Sequence, residues 1–106
     1  MKEIKAFIHR NRITDVIHAL KEAGFRHLSI VDVKGTLKAL DNKEQNYSVE
    51  LGSAVITEIK LELVCNDAQV DEATQLIQQH ARTGQTDAGW IYVIDIDQTI
   101  RINGSK

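Results

Sequence analysis

The sequence predicts an α+β domain in which two helices cover one face of a four-stranded antiparallel sheet. The 106 residues are enough for one hydrophobic core and leave no room for a second. Four apolar segments have the composition or the two-residue period of strands, and two have the spacing of helices. The elements follow the order β-α-β-β-α-β. We therefore expect a single domain over residues 1–106.

The first strand and the first helix have the clearest periods. Residues 2–9 predict a strand, because every second side chain is apolar and would face the core: Ile4, Ala6 and Ile8. Apolar residues then recur at helical spacing: Ile13, Val16, Ile17, Leu20 and Ala23. Gly24 is placed where a left-handed residue would end that helix.

The second and third strands follow. Residues 28–34 are rich in β-branched side chains and end at Gly35. The third strand alternates again, with one set of side chains toward the core: Ile59, Leu61, Leu63 and Cys65. The opposite face would carry Lys60, Glu62 and Val64.

The last elements are a helix and a strand joined by a loop. Asn66 or Asp67 is expected to cap the helix, whose apolar stripe is Val70, Ala73, Ile77 and Ala81. Gly84 and Gly89 lie in the loop, where glycine lets the backbone approach a ligand closely. Residues 91–96 predict the fourth strand, and residues 99–102 are expected to extend the sheet or add an edge piece.

This order gives a ferredoxin-like sandwich, with two right-handed crossovers that place both helices on one face of the sheet. The opposite face would then be too apolar to leave in water: Phe7, Ser29, Val31, Val33, Tyr92 and Ile94. We expect that face to pack against other subunits in a closed ring.

Composition excludes several classes of function. The formal net charge of −2 argues against a nucleic-acid partner, because such binding needs a concentrated positive face. No apolar run is long enough to span a membrane. The single Cys65 cannot form an internal disulfide, which favours a cytoplasmic protein. No nucleophile, base or carboxylate pair has a recognisable spacing, so we expect no catalytic residue and no enzymatic activity.

The connection between the second and third strands, at about residues 36–57, is mixed in charge and has no sustained period. A long connection of this kind is usually functional or disordered, so we expect a mobile loop that meets a partner. The alternative is a long hairpin that only extends the two strands.

Metal binding has little support in the spacing. No two of the candidate ligands have the short sequence spacing that would place them on one face of a helix: His9, His18, His27, His80 and Cys65. Only a subunit interface could gather them, and we expect no metal site. Trp90 could stack on a base, or it could belong to an interface or to the core.

The joint order of several short blocks resembles the PII signal-transduction family. The blocks span the whole chain: residues 1–4, 33–35, 60–64, 83–84, Gly89 and 100–102. The resemblance implies a homotrimer with nucleotide clefts between subunits. It also implies a large loop that engages a transporter or an enzyme, and a shorter loop that wraps the phosphates.

The same resemblance implies the site residues. Ser29, Glu62 and the backbone at Val64 would surround the adenine, and Gly35 would bring backbone against the nucleotide. Gly84 and Gly89 would line the phosphates. Arg101 would bind a phosphate.

The sequence also departs from the family. Trp90 replaces a phosphate-binding lysine, and Asn103 replaces a second arginine. The glutamine that binds 2-oxoglutarate and magnesium is Ala39, its paired lysine is Glu58, and the tyrosine modified in some branches is Leu51.

Two lost cations should weaken triphosphate binding by about 10²-fold or more. We therefore expect AMP or ADP to be favoured over Mg-ATP, and 2-oxoglutarate sensing to be absent. The alternative is a divergent trimer that has lost nucleotide sensing and binds a metal or a small anion near a transport system.

Overall fold

The structure is a computed structural model, which describes residues 1–32, 59–84 and 88–104. Its elements follow the predicted order: β1 (Lys2–Ile8), α1 (Ile13–Glu22), β2 (Leu28–Asp32), β3 (Ile59–Cys65), α2 (Val70–Ala81) and β4 (Gly89–Asp95). Short 3-10 turns at Arg10–Arg12 and Asp67–Gln69 lead into α1 and α2.

The four strands form one sheet in the order β2-β3-β1-β4, and every neighbouring pair is antiparallel. Alternate residues of the central strands are buried together with one side of each helix in a single cluster: Ile4, Ala6, Ile8, Leu61, Leu63, Cys65, Val16, Leu20, Ala73, Ile77 and Ala81. Both helices therefore cover the same face, and the predicted ferredoxin-like arrangement is confirmed.

The end of α1 is fixed by hydrogen bonds around Gly24. The Gly24 amide donates to the Lys21 carbonyl at 3.0 Å, and the Phe25 amide donates to the Leu20 carbonyl at 2.9 Å. This pairing requires a left-handed residue, and Gly24 has φ 97°. Phe25 is buried in the core directly after the turn, so the glycine stop predicted from sequence is confirmed.

The start of α2 is fixed by Asn66 and Gln69. The Asn66 side chain accepts from the Gln69 amide, and the Gln69 Oε1 accepts from the Asn66 amide at 3.0 Å. The N-terminal amine of Met1 lies 2.8 Å from Asp67 Oδ1 in the same turn. This ion pair ties the first residue of the chain to the entrance of α2.

The uncovered face of the sheet carries two cross-strand rows of mixed character. One row runs through Tyr92, Lys5, Glu62 and Ser29, and the other through Trp90, Phe7, Lys60 and Val31. The Phe7 and Tyr92 rings meet edge to face, with centroids 6.1 Å apart. The apolar set predicted for this face is confirmed for its described members: Phe7, Ser29, Val31, Tyr92 and Ile94. Val33 lies outside the described residues.

Three boundary predictions are wrong. The fourth strand spans Gly89–Asp95 and not residues 91–96. His9 lies after β1, because its backbone opens the 3-10 turn at Arg10. Residues 99–102 form no strand, since no described strand pairs with them and Ile100 and Ile102 are exposed. Neither α1 nor α2, the helices of the described ranges, has the length and apolar character needed to cross a bilayer.

Candidate functional site

A cleft of about 450 Å³ opens beside β2 and β3 on the uncovered side of the sheet. Ser29 and Glu62 are direct cross-strand partners in it, and Val64 lies two residues further along β3 on the same face. The structure thus brings together three residues expected at the adenine. The volume is in the range of small-molecule sites.

Both acidic groups in this cleft already face a lysine on their own strand. Glu62 Oε1 lies 3.6 Å from Lys60 Nζ, and Glu3 Oε1 lies 3.7 Å from Lys5 Nζ. All four side chains are between a quarter and a third exposed, so the uncovered face keeps these charges partly desolvated. The carboxylates therefore add little net negative charge to the cleft.

Arg26 and His27 form the rim of the cleft at the start of β2. Both side chains are exposed, between the buried Phe25 and the half-buried Leu28. The sequence alone indicates no role for Arg26, and it offers His27 only as a candidate metal ligand. The sequence feature that could have indicated their position is a pair of basic residues between two apolar residues, Phe25 and Leu28, at the start of a strand.

Gly89 lines a second, smaller cavity, and Gly84 follows Arg82, another lining residue, by two positions in the chain. This cavity has a volume of about 160 Å³, and its floor is apolar: Ile8, Ile77, Ala81 and Ile91. Gly89 and Trp90 line one side, and Arg82 lies where α2 ends. Gly84 has φ 82° and Gly89 has φ 129°, a backbone that side-chain-bearing residues rarely adopt. The dipole at the end of α2 does not favour an anion. Among the described residues that line this cavity, Arg82 is the cation.

The two groups of predicted residues lie toward opposite ends of the sheet. Val64 pairs with Glu3, whereas Gly89 pairs with Ile8, which is five residues further along β1. At about 3.3 Å per residue, these positions are about 17 Å apart along the strand direction. One chain therefore does not gather Val64 and Gly89 around a compact ligand.

Arg101 follows β4 in an exposed turn, in which its carbonyl accepts from the Gly104 amide at 3.0 Å. It lines neither of the two cavities described above. Asn103 lies in the same turn. In the described part of one chain, Arg101 thus shares neither of these cavities with the other predicted site residues.

Several predicted positions lie outside the described residues: Gly35, Ala39, Leu51, Glu58 and Asp87. The segment that contains the first four leaves the sheet after Asp32 and rejoins it at Ile59, which are register partners. Ile59 also pairs with Ile8, the partner of Gly89. Asp32, Ile59 and Gly89 therefore lie at the same end of the strands, although Asp32 and Gly89 belong to the two opposite edge strands, β2 and β4.

A groove between α1 and α2 gathers other titratable groups. It is lined by His18, Glu22 and His80, and the His18 Nε2 lies 2.9 Å from Glu22 Oε1. Across residues 1–32, 59–84 and 88–104, no three His, Cys, Asp or Glu side chains are arranged to hold a metal ion. Burial raises the pKa of the Cys65 thiol, which keeps it in the neutral form that binds metals poorly.

Comparison with known proteins gives one consistent result. The family model for nitrogen regulatory protein P-II matches residues 1–106. Proteins of that name from Rhodobacter capsulatus and Rhodospirillum rubrum are 35% and 34% identical over 102 residues, covering 96% of this chain and 91% of theirs. Nitrogen regulatory protein P-II 2 of Methanothermobacter thermautotrophicus is 30% identical, with 96% and 89% covered.

Proposed function

The chain belongs to the nitrogen regulatory protein P-II family of signal transducers, and from that premise we propose that it binds an adenine nucleotide between subunits of a homotrimer. The observation that carries the proposal is the cleft in which Ser29, Glu62 and Val64 meet. Ser29 offers a hydroxyl, Glu62 a carboxylate acceptor, and Val64 an apolar surface. These groups suit the polar edge and the flat face of a purine.

The separation of the site residues supports a ligand held by two copies of the chain. Gly84 and Gly89 lie toward the opposite end of the sheet from Val64, and Arg101 lines neither cavity. A neighbouring copy would supply the phosphate-side glycines and Arg101 to the adenine side of the first. The apolar side chains of the uncovered face provide surface for that assembly.

The ligand that we propose is AMP or ADP in preference to Mg-ATP. Trp90 is about half exposed beside the second cavity and brings no positive charge to it. Asn103 likewise replaces a cation. Each lost charged hydrogen bond removes roughly 1.5–3 kcal/mol, so the penalty should grow with the number of phosphates.

The output that we propose is control of a transporter or a metabolic enzyme. Residues 36–57, outside the described residues, would contact that partner. Asp32, Ile59 and Gly89 lie at the same end of the strands, so a nucleotide bound at that end would lie on the side of the domain from which this segment leaves and returns. Differential affinity of the nucleotide for two arrangements of the segment would then shift their populations.

Isothermal titration with AMP, ADP and ATP, each with and without magnesium and 2-oxoglutarate, tests the proposal. We expect AMP and ADP to bind, ATP to bind more weakly, and 2-oxoglutarate to have no effect. Arg101→Ala should abolish nucleotide binding, whereas Lys21→Ala, which removes an exposed charge from α1, should not. Light scattering should give a trimer for all three proteins.

Two results would contradict the proposal in different ways. A trimer that binds no adenine nucleotide would leave the assembly and favour the alternative of metal or small-anion binding. Full affinity in the Arg101→Ala trimer would place the nucleotide elsewhere on the protein.

A further inference from the structure

The groove between α1 and α2 differs in character from both cavities at the sheet. It has a volume of about 640 Å³, and residues of both helices line it. We propose that a basic helix of a partner protein docks in this groove, with two of its positive side chains at Asp15 and Glu22. The inference goes beyond the proposed function, because it uses neither the nucleotide cleft nor residues 36–57.

The apolar part of the groove is shallow enough for a helix to approach closely. It consists of two alanines one turn apart on α1, Ala19 and Ala23, and of the half-buried Leu76 on α2. Short side chains favour the lower end of the usual axis separation of about 8–10 Å between packed helices. On α1 the lining runs from Thr14 to Ala23, which is about 14 Å of helix. A partner helix of about three turns could lie along it.

The charges in the groove favour a cation at two points. Asp15 and Glu22 are seven residues apart, so both lie on the same side of α1 and are separated by about 10.5 Å along its axis. Glu22 Oε1 lies 2.9 Å from His18 Nε2 on the same helix. Asp15 is exposed and has no hydrogen-bond or ion-pair partner within the described ranges.

No lysine or arginine is found among the described residues that line the groove. With His18 and His80 neutral, the lining therefore carries two negative charges and no positive one. A basic partner meets no opposing cation there.

A helix with lysine or arginine at two positions seven residues apart matches this arrangement. Its two cations are also separated by about 10.5 Å on one side, so both can reach a carboxylate when the partner helix runs nearly parallel or antiparallel to α1. The long side chains can lay their apolar stems on the alanines while their charged ends reach the carboxylates. Both ion pairs would remain partly exposed, so the contact should be reversible and should weaken in salt.

The groove stays accessible in the proposed trimer. Both helices cover the same face of the sheet, so the groove lies on the opposite side of the domain from the uncovered face. Assembly through the uncovered face would leave one open groove on each copy. A partner with more than one basic helix could then bind with higher avidity than a single groove provides.

The experiment uses fluorescence anisotropy of two labelled, stapled helical peptides of about 18 alanine-rich residues, titrated with the full-length protein at about pH 8, where imidazoles are neutral. One peptide carries two lysines seven positions apart, on the same side of the helix. The other carries two lysines nine positions apart, on opposite sides, so both peptides have the same charge. The protein variants are Asp15→Asn combined with Glu22→Gln, and Ala19→Gln, which keeps the charges but fills the groove.

We expect the same-side peptide to bind the native protein at least about threefold more tightly than the opposite-side peptide. The double variant should weaken the same-side peptide by about 10-fold, and Ala19→Gln should weaken it by about threefold. Glu72→Gln is the matched control, because it removes an exposed carboxylate of α2 that does not line the groove, and it should leave the affinity unchanged. Circular dichroism should show the native helix content in all variants.

Four results would overturn the proposal. They are absence of binding by both peptides, equal affinity for the two peptides, and an unchanged affinity in the double variant. The fourth is a loss in the double variant without any loss in Ala19→Gln, which would show attraction to the surface charges without docking in the groove. Association of the native protein beyond a trimer that the double variant abolishes would assign the groove to a second copy of this chain and would also overturn it.

Discussion

Gly24 shows how one residue determines where a helix ends and a strand begins. Its positive φ lets the amides of Gly24 and Phe25 satisfy carbonyls of the last turn of α1, and it turns Phe25 into the core. The direction of the next two residues follows from that turn. The position of Arg26 and His27 at the cleft is therefore a consequence of Gly24.

Gly24→Ala should destabilise the protein by about 1 kcal/mol, because a side-chain-bearing residue pays a penalty at positive φ. No heavy atom lies within 4 Å of a Cβ built at Gly24, so the cost is backbone strain without a clash. Urea unfolding measures it. Gly104→Ala also places a side chain at positive φ in open space, but in the exposed turn after β4, which can relax without disturbing the core, and it should change stability by less than about 0.5 kcal/mol. An unchanged urea midpoint in Gly24→Ala would contradict the strain explanation.

Cys65 should be unreactive in the native protein. It is 5% exposed at the end of β3, and burial raises the pKa of its thiol. Alkylation by iodoacetamide should therefore be at least about 100-fold slower than in urea and should report local opening of the sheet. A Cys65→Ala, Gln79→Cys protein, with the thiol on the exposed side of α2, is the control and should react rapidly without urea. Fast alkylation of native Cys65 would show that this end of β3 opens readily.

At the scale of elements, the N-terminal amine and Asp67 join β1 to the entrance of α2. The hydrogen bond from the amine, together with its charge, holds the pKa of Asp67 below its ordinary value. A carboxyl group with a lowered pKa contributes stability above its unfolded pKa of about 4, and this is lost as the pH falls through the folded value.

Asp67→Asn should therefore lose less stability than the native protein between pH 6 and pH 3. The urea midpoint at the two pH values measures this difference. Asp71→Asn changes another exposed carboxylate in the first turn of α2, one without an ion-pair partner among the described residues, and should retain the native pH dependence. Identical pH dependence in all three proteins would mean that the amine does not stabilise the native state through Asp67.

The sequence predicts elements well where one face is buried and the other is not. β1 and β3 alternate because their odd and even residues face different surroundings, so the period directly records burial. Residues 99–102 also alternate, but a strand requires a partner, and the sheet offers them none in the described residues. A local pattern carries no information about which edges of the sheet stay open.

The candidate site was predicted only in part for a related reason. Ser29, Glu62 and Val64 lie on strands, whose register brings them to one cleft. Arg26 becomes a cleft residue only because the start of β2 pairs with β3, which follows more than thirty residues later in the chain. That proximity depends on the packed fold and has no local sequence signal.

For the whole molecule, the uncovered face is the surface on which assembly should depend. Ile94 and Val93 are adjacent on β4 and almost equally exposed, at 42% and 45%, yet they point to opposite faces of the sheet. Ile94→Glu should convert the proposed trimer to monomers, since it places a charge among the apolar groups of the uncovered face. Val93→Glu, on the helix side, should leave the trimer intact.

Sedimentation or light scattering measures the oligomeric state of the two variants. Circular dichroism should show that both remain folded, because neither residue belongs to the buried core. A trimer that survives Ile94→Glu but not Val93→Glu would place the contact on the helix side of the sheet.

The pairing of Asp32 with Ile59 has a consequence for how this protein can change over evolutionary time. Antiparallel partners hold their Cα atoms about 5 Å apart, so the intervening 26 residues begin and end at two closely spaced points of the sheet. Doubling or halving such an insertion changes the closure entropy by only about 0.6 kcal/mol. The closure entropy therefore places little restriction on the length of this connection, and a lineage could change the connection while keeping the four-stranded domain that carries it.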